Sequence, residues 1–508
     1  MPSRFRFSAC SLLTFVISTM MMSTMAEESS TSQESSSKEA AIVEDQFSVT
    51  EHTVTINGKE VPYTATAGKL LMKSDAGETK AEVFFVAYTR NDVTDPSNRP
   101  VSFCFNGGPG SSSVWLHMGM LGPRFIKFPA DASPLKPPFK HEPNPYSLLD
   151  ITDLVFIDPV STGFSRPAKG EEKSQFHGYY EDLRSVGQFI HDYTTRFKRW
   201  GSAKYLIGES YGGLRAAGLA GQLRNRYNME LNGIVLVSAV VDFATIRFNN
   251  NNDLPYMLFL PSYTATAWYH KALPADLQAQ SLTDILQQAE KFALGPYALG
   301  LLQGDAIDAT TRASLVEQYA RLTGLSKEYV DRSNLRVTMS RFGKELLRDR
   351  GLTAGRFDSR YTGIDRDQNS DSYEYDASGA AFFGPFTAAL NHYLRQELKY
   401  EDERVYEILT GNVFPWSFDP FENRYVDASE ALRKSMIANS YLKLFVASGY
   451  YDLATPYFAM DYTVNHLGLS PVRDNNITQR YYPAGHMMYV HEPSIRQLRD
   501  DLIDWYQE

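Results

Sequence analysis

Residues Gly208-Glu209-Ser210-Tyr211-Gly212 spell G-x-S-x-G, directly after the apolar run Tyr205–Ile207 and directly before a helix-like stretch. A serine set between glycines at such a junction fits a nucleophile elbow, a strained strand-to-helix turn that lifts the hydroxyl above a sheet. A glycine-rich turn without chemistry has the same spelling, so the motif needs partners. A serine hydroxyl is a weak nucleophile until a base takes its proton. The imidazolium that forms then needs a buried acid to orient and stabilise it.

In α/β-hydrolases that acid and then the histidine follow the serine in the chain. His270 and His392 precede the last strong buried strand pattern, and His466 sits in the helical pattern YFAMDYTVNHLG. His486 instead lies where an aromatic, strand-like run breaks at Pro483-Ala484-Gly485. A loop at a strand end is where a base belongs. By the same reasoning Leu442–Ala447 reads as a buried strand followed by a glycine turn and Asp452. Each residue has a plainer reading beside this one, Asp452 as a helix cap and His486 as a turn histidine.

A third element is a site for the developing negative charge. The apolar run Val101–Phe105 ends in Asn106-Gly107-Gly108-Pro109-Gly110, a loop able to turn backbone N–H groups toward an oxyanion. The N–H of Tyr211, the residue after the serine, is the expected second donor. A tight loop or a phosphate cradle fits the same glycines, but the Lys-Ser or Lys-Thr of a P-loop is missing.

These residues require a scaffold that brings strand ends together. Val101–Phe105, Leu154–Ile157, Tyr205–Ile207, Ile234–Val240 and Leu442–Ala447 are short, continuous apolar runs, as suits strands buried on both faces of a mostly parallel sheet. Helical patterns such as Tyr179–Phe197 lie between them, which argues an α/β layer fold. Ahead of these, HTVTINGKEVPYTAT and KAEVFFVAYTR read as antiparallel edge strands, the first pair turning at Asn57-Gly58. From about 249 to 423 the strand rhythm stops. LPADLQAQSLTDILQQAEKFALG and SKEYVDRSNLRVTMSRFGKELLRDRG read as amphipathic helices and GIDRDQNSDSYEYDASG as a polar loop, giving a mainly helical cap over the carboxyl ends of the strands.

With 508 residues, 43% of them hydrophobic, the chain can bury a large core. Residues 1–26, with Arg4, Arg6, an apolar run over about 12–22 and small residues to Ala26, read as a secretory signal. The run is shorter than the ~20 residues that a membrane span needs, so no stable span is expected after cleavage. Residues 27–45, rich in Ser and Glu, read as a solvated linker. Removing the signal takes two arginines and no acids and moves the net charge from −10 to −12, a poor match to nucleic acid. Of two cysteines, Cys10 leaves with the signal and Cys104 is expected as a buried, inert thiol. An exported location, periplasmic or extracellular, follows from the signal. Oligomeric state is not legible.

NGGPGSSS (106–113), NPYSLLDITDLVFIDPVSTGFSR (144–166), GESYGG (208–213), SGYYDLATP (448–456) and AGHMM (484–488) together resemble the serine carboxypeptidase family in order and spacing. The resemblance is anchored in the blocks 99–124, 143–214 and 441–493. It implies an α/β-hydrolase fold with an inserted cap: core 46–248, cap 249–423 and core 424–508. It implies a triad of Ser210, Asp452 and His486, oxyanion donors at Gly108 and Tyr211, no metal or other cofactor, and a peptide substrate cleaved at its C-terminus, best in acid. Asn106, Gly107 and Glu209 would hold the terminal carboxylate. Two anionic groups share a site only if one carries a proton, so a Glu209 with a raised pKa would favour acid.

Two departures stand out. Met120 occupies the place of a second glutamate, which opens an alternative reading as an esterase or acyltransferase; Arg124, four residues on, is a weaker carboxylate contact. Ser111 replaces the family's cysteine, so that loop has no disulfide tether. An idle binding protein on the same fold is a third reading, opposed by the filled triad positions. Side-chain specificity would come from the cap, where Trp115, Tyr263, Trp268 and Trp416 are aromatic candidates for the pocket.

Overall fold

A computed structural model describes residues 45–470 and 473–507. The signal expected over 1–26 and all but the last residue of the expected linker lie outside the described residues. No helix among the described residues is long and apolar enough to cross a membrane.

Alternation and β-branched residues build three long strands first, β1 (Gln46–Ile56), β2 (Lys59–Lys73) and β3 (Thr79–Arg90), paired antiparallel. The β1–β2 turn has positive φ at both Asn57 (47°) and Gly58 (74°), the conformation for which an Asn-Gly pair is suited. Six short strands follow: β4 (Val101–Phe105), β5 (Asp153–Ile157), β6 (Lys204–Glu209), β7 (Gly233–Val237), β8 (Lys443–Gly449) and β9 (Ile477–Tyr482). The sheet order is β1-β2-β3-β5-β4-β6-β7-β8-β9, with Arg166–Pro167 also paired to β3. From β5 to β9 every neighbouring pair is parallel.

The continuous apolarity of the central strands has its reason in two packed faces. In β4, Val101, Phe103 and Phe105 join the core with α1 (Tyr179–Arg196) and α2 (Tyr211–Tyr227), while Cys104 joins the opposite core. Cys104 is fully buried, and burial pushes its thiol pKa well up, as an inert core cysteine requires. On that second face lie α3 (Ala377–Gln396) and the last helix, α4 (Glu492–Gln507).

The strand expected over Ile234–Val240 ends at Val237, because Ser238 turns with φ 42°. Residues 239–241 stay apolar since they are buried behind the Ser210 turn, where Val240 N–H donates to the Ser210 carbonyl at 3.3 Å. Between β7 and β8 the chain is mainly helical; its first part, from Leu258 to Leu347, has its own core, which includes Tyr263, Phe342 and Tyr319 and reaches Tyr451, Leu453 and Tyr457 just after β8, whereas residues such as Phe382, Tyr393 and Tyr406 pack on the main sheet. The helical stretch expected from Ser326 divides into Lys327–Arg332 and Met339–Glu345 because Asn334 and Leu335 adopt left-handed φ of 52° and 60°.

Candidate active site

Ser210 stands between β6 and α2 with φ 62° and ψ −126°, a strained conformation for a residue with a Cβ. The surrounding structure enforces it. Ser210 N–H donates to the Val237 carbonyl at 3.1 Å, and the Ser210 carbonyl accepts from Gly213 N–H at 2.9 Å. Gly208 is required by close approach, since a Cβ there would stand 2.2 Å from the Gly212 carbonyl oxygen. The Ser210 side chain is partly exposed at the floor of a cavity of about 330 Å³ that His486 also lines.

Asp452 and His486 come from the loops after β8 and β9. Those loops are knitted by backbone bonds, Tyr450 N–H to Tyr482 O at 3.0 Å and Tyr451 N–H to Ala484 O at 2.9 Å. His486 Nδ1 lies 2.7 Å from Asp452 Oδ2, with both side chains buried. Asp452 Oδ1 accepts from the N–H groups of Ala454 (2.7 Å) and Thr455 (3.0 Å), and Thr455 Oγ1 is 2.8 Å from Oδ2. Asp452 thus fixes the turn that follows it as well as meeting His486, but it is not the helix cap of the plainer reading, since the helix Tyr457–Asn465 starts after Pro456 without a side-chain cap. Burial alone would lower the His486 pKa, but the Asp452 charge and hydrogen bond, with help from Glu209, outweigh it and leave the pKa raised. The segment between β7 and β8 braces this loop too: His486 N–H donates to Phe357 O at 2.6 Å, and Gly485 N–H to Asp358 Oδ2 at 3.2 Å.

The glycine loop lies against the start of α2. A Cβ on Gly107 would stand 2.4 Å from the Tyr211 nitrogen, so the two segments approach as closely as backbone allows. Tyr211 opens the helix, and its N–H has no acceptor one turn earlier. Asn106 is fixed from two sides: its Oδ1 accepts from Leu116 N–H at 3.1 Å, and its carbonyl accepts from the Arg215 guanidinium. Arg215 is itself buried and paired with Asp182 at 2.7 Å. Glu209, buried under the cavity, has its pKa raised by burial to about 7, although the His486 charge, Tyr489 and Asn106 hold it down. Tyr489 donates to Glu209 Oε2 at 2.7 Å.

All eight residues singled out in the sequence therefore meet at one place: Asn106, Gly107, Gly108, Glu209, Ser210 and His486 line the cavity, with Asp452 behind His486 and Tyr211 behind Gly107. Of the aromatic candidates Trp115 lines the cavity, its indole N–H donating to Ser111 Oγ at 2.9 Å. Tyr263 is in the helical core between β7 and β8, stacked on Phe342 at 4.0 Å, and Trp268 packs against the same core. Trp416 stands behind the cavity against the Tyr211 ring, 5.7 Å between centroids. Arg124 pairs with Glu397 at 2.8 Å and is absent from the cavity lining. In place of a disulfide at Ser111, the glycine loop is bound to residues 408–410 by Ser112 N–H to Ile408 O (3.0 Å) and Thr410 N–H to Gly110 O (3.0 Å).

Sequence reasoning missed Tyr489, Thr455, Arg215, Asp182 and Arg356, the last of which also lines the cavity. Arg215 did leave a signal, a lone charge in the small apolar helix stretch YGGLRAAGLA, and Thr455 sits three residues after Asp452 in a capping spacing. Tyr489 and Arg356 left none that distinguishes them from their neighbours.

The fold and the family can be set against known proteins. A structure of a prohormone-processing carboxypeptidase from Saccharomyces cerevisiae, KEX1(delta)p, superposes over 88% of this chain and 91% of its own, with a TM-score of 0.53 and 16% identity, which shows a shared fold. Serine carboxypeptidase-like 34 of Arabidopsis thaliana is 33% identical over 156 residues, 30% of this chain and 29% of that protein. The pheromone-processing carboxypeptidase KEX1 of S. cerevisiae is 34% identical over 158 residues, 29% of this chain and 20% of that protein. The chain thus spans less than a third of the length of these two relatives in the matched segments. The family model "Serine carboxypeptidase" matches far more, residues 58–492. With both ends of that match enclosing the elbow, the acid and the histidine, this chain belongs to the serine carboxypeptidase family.

Proposed function

We propose that this protein removes the C-terminal residue of peptides through an acyl-enzyme on Ser210. The observation that carries the reading is the placement of Glu209, with its pKa near 7, and Asn106 in the same cavity as Ser210 and the Asp452-backed His486. A hydrolase without end specificity needs only the latter set.

In this mechanism Ser210 Oγ attacks the carbonyl carbon of the last peptide bond as His486 Nε2 takes its proton. Asp452, bonded to Nδ1, fixes the tautomer and offsets the imidazolium charge. The N–H groups of Gly108 and Tyr211 receive the oxyanion. Collapse breaks the C–N bond, and the leaving amine takes the proton from His486. Water then attacks the acyl carbon, giving its proton to His486, and as the acyl C–O bond breaks His486 returns that proton to Ser210 Oγ and the new carboxylic acid leaves. Asn106, the Gly107 N–H and a protonated Glu209 hold the terminal carboxylate.

Acid favours the carboxylate contact through Glu209. Below about pH 7 Glu209 carries a proton and donates to the carboxylate instead of repelling it. Its neutralisation also removes one of the charges that raise the His486 pKa, so His486 keeps its neutral form to a lower pH than it would beside an ionised Glu209. Export follows the reading of residues 1–26 as a cleaved signal.

The test is hydrolysis of an N-blocked dipeptide beside its C-terminal amide and its ester, from roughly pH 4 to 8, with Ser210→Ala as control. Cleavage of the free acid at low pH, lost in the control, is the expected result. Turnover of the ester alone would make the protein an acyl hydrolase and overturn the peptidase reading.

A further inference from the structure

Arg356 interrupts an otherwise aromatic and apolar part of the cavity wall, where Trp115, Phe357, Phe382, Phe383 and Phe414 face the space above Ser210. It is the one arginine or lysine in the lining. Its backbone is fixed at both ends: the N–H donates to Asp376 Oδ1 at 3.0 Å, and the carbonyl accepts from Leu453 N–H at 3.0 Å, next to Asp452. The guanidinium carbon sits 5.2 Å from the centroid of the Phe357 ring.

Its neighbours show what is unusual. Arg360 is paired with Asp358 at 2.6 Å, Arg215 with Asp182 at 2.7 Å and Arg124 with Glu397 at 2.8 Å. Among the described residues the Arg356 guanidinium has no ion-pair or hydrogen-bond partner. A partly buried cation left open in a chain of net charge −10 marks a place for an anion brought from outside. It lies close enough to the reacting groups for its charge to act on His486.

On the peptide reading above, the terminal carboxylate already has Asn106, Gly107 and Glu209. We propose that Arg356 is a specificity-determining residue that receives a side-chain carboxylate of the substrate, so that peptides with Asp or Glu beside the scissile bond are preferred. Between about pH 5 and 6 such a side chain is largely ionised while Glu209 is largely protonated, so the two carboxylates of the substrate meet different partners.

Binding to the Ser210→Ala protein tests this without turnover. Calorimetry at about pH 5.5 compares N-blocked dipeptides that differ only as Glu against Gln, at the last position in one pair and the penultimate in the other. The Glu peptide should bind about tenfold more tightly at one of the two positions, as a charge-assisted contact gives. Adding Arg356→Gln should bring that ratio close to one, and Arg356→Lys should keep part of it. Equal affinities in the parent, or a ratio that survives Arg356→Gln, would overturn the proposal. If no free-acid peptide binds, the peptide reading falls instead. The same pairs presented as methyl esters then judge Arg356 alone, by whether a Glu preference exists and is lost in Arg356→Gln.

Discussion

The Tyr489 hydroxyl donates to Glu209 Oε2 at 2.7 Å, and its ring lies so close to Gly119 that a Cβ there would stand 2.4 Å from a ring carbon. A neutral donor thus reaches Glu209 from beside residue 120, where the family resemblance implies a second glutamate and this chain has a buried methionine. A second carboxyl would share a proton with Glu209 and couple the two titrations. Tyr489 cannot, because burial and then the Glu209 charge push its own pKa well above 10. Glu209 therefore has no second carboxyl with which to share its proton, and its pKa stands near 7. In pH profiles of kcat/KM, free-acid peptides should lose activity along a one-proton limb near that value, while an amide-ended substrate does not. Tyr489→Phe removes a bond that holds the Glu209 pKa down, so the limb should move to higher pH. A limb that stays in place would assign it to another group.

The same group links stability to pH. Burial raises Glu209 from 4.5 to about 7, so between those values the folded protein keeps a proton that the unfolded chain has released. Stability from this residue is then highest below pH 4.5, falls as pH rises through the interval and levels off above about 7. The loss approaches about 3 kcal/mol at full ionisation. Glu209→Gln carries no charge at any pH, so its stability relative to the parent should climb between pH 4 and 8. Urea titrations of both proteins at several pH values measure this difference, and a flat difference would sink the argument.

Asp452 offers a sharper comparison within the triad. Asp452→Asn keeps the shape but presents an amide to His486 Nδ1, which favours the wrong tautomer; kcat should fall by about 10⁴-fold. Thr455→Val removes the 2.8 Å contact to Asp452 Oδ2 but leaves the two backbone donors to Oδ1, and a fall of about tenfold in kcat with little change in KM is expected. Steady-state kinetics of both variants against Ser210→Ala as the floor would decide it. Equal losses would mean that Thr455 holds the loop rather than the acid.

Much of this site was legible because its residues sit where periodicity changes. Ser210 and Asp452 follow apolar strands and His486 follows an aromatic strand end, each with a glycine just before it, and the sheet order brings those three strand ends together. Strand limits were less legible: the run after Ile234 stays apolar past the end of β7 because Val240 is buried behind the elbow, and burial rather than pairing sets its composition. Trp268 and Tyr263 could not be assigned from spacing, since an aromatic in a helix reads alike whether it faces a core or a cavity. Tyr489 and Arg356 were hidden for another reason. Their partners, Glu209 at 2.7 Å and the space over Ser210, are 280 and 146 positions away in the chain, and only the packed fold juxtaposes them.

The pair Arg215–Asp182 is the support whose loss should be felt most widely. Both side chains are almost fully buried, Arg215 donates to Asp182 Oδ2 at 2.7 Å, and it also donates to the Asn106 carbonyl at the root of the glycine loop. Asp182→Ala leaves a buried guanidinium without its counter-charge, and unfolding free energy should drop by about 3–5 kcal/mol. Replacing both residues by apolar ones of similar volume, Arg215→Met with Asp182→Leu, should recover part of that stability because neither charge is then stranded. The double variant still lacks the donor to Asn106, so its kcat/KM on a free-acid peptide should stay low after stability returns. Denaturant unfolding with kinetics on the same samples separates the two effects. If activity returned with stability, Arg215 would serve the fold alone and not the position of Asn106.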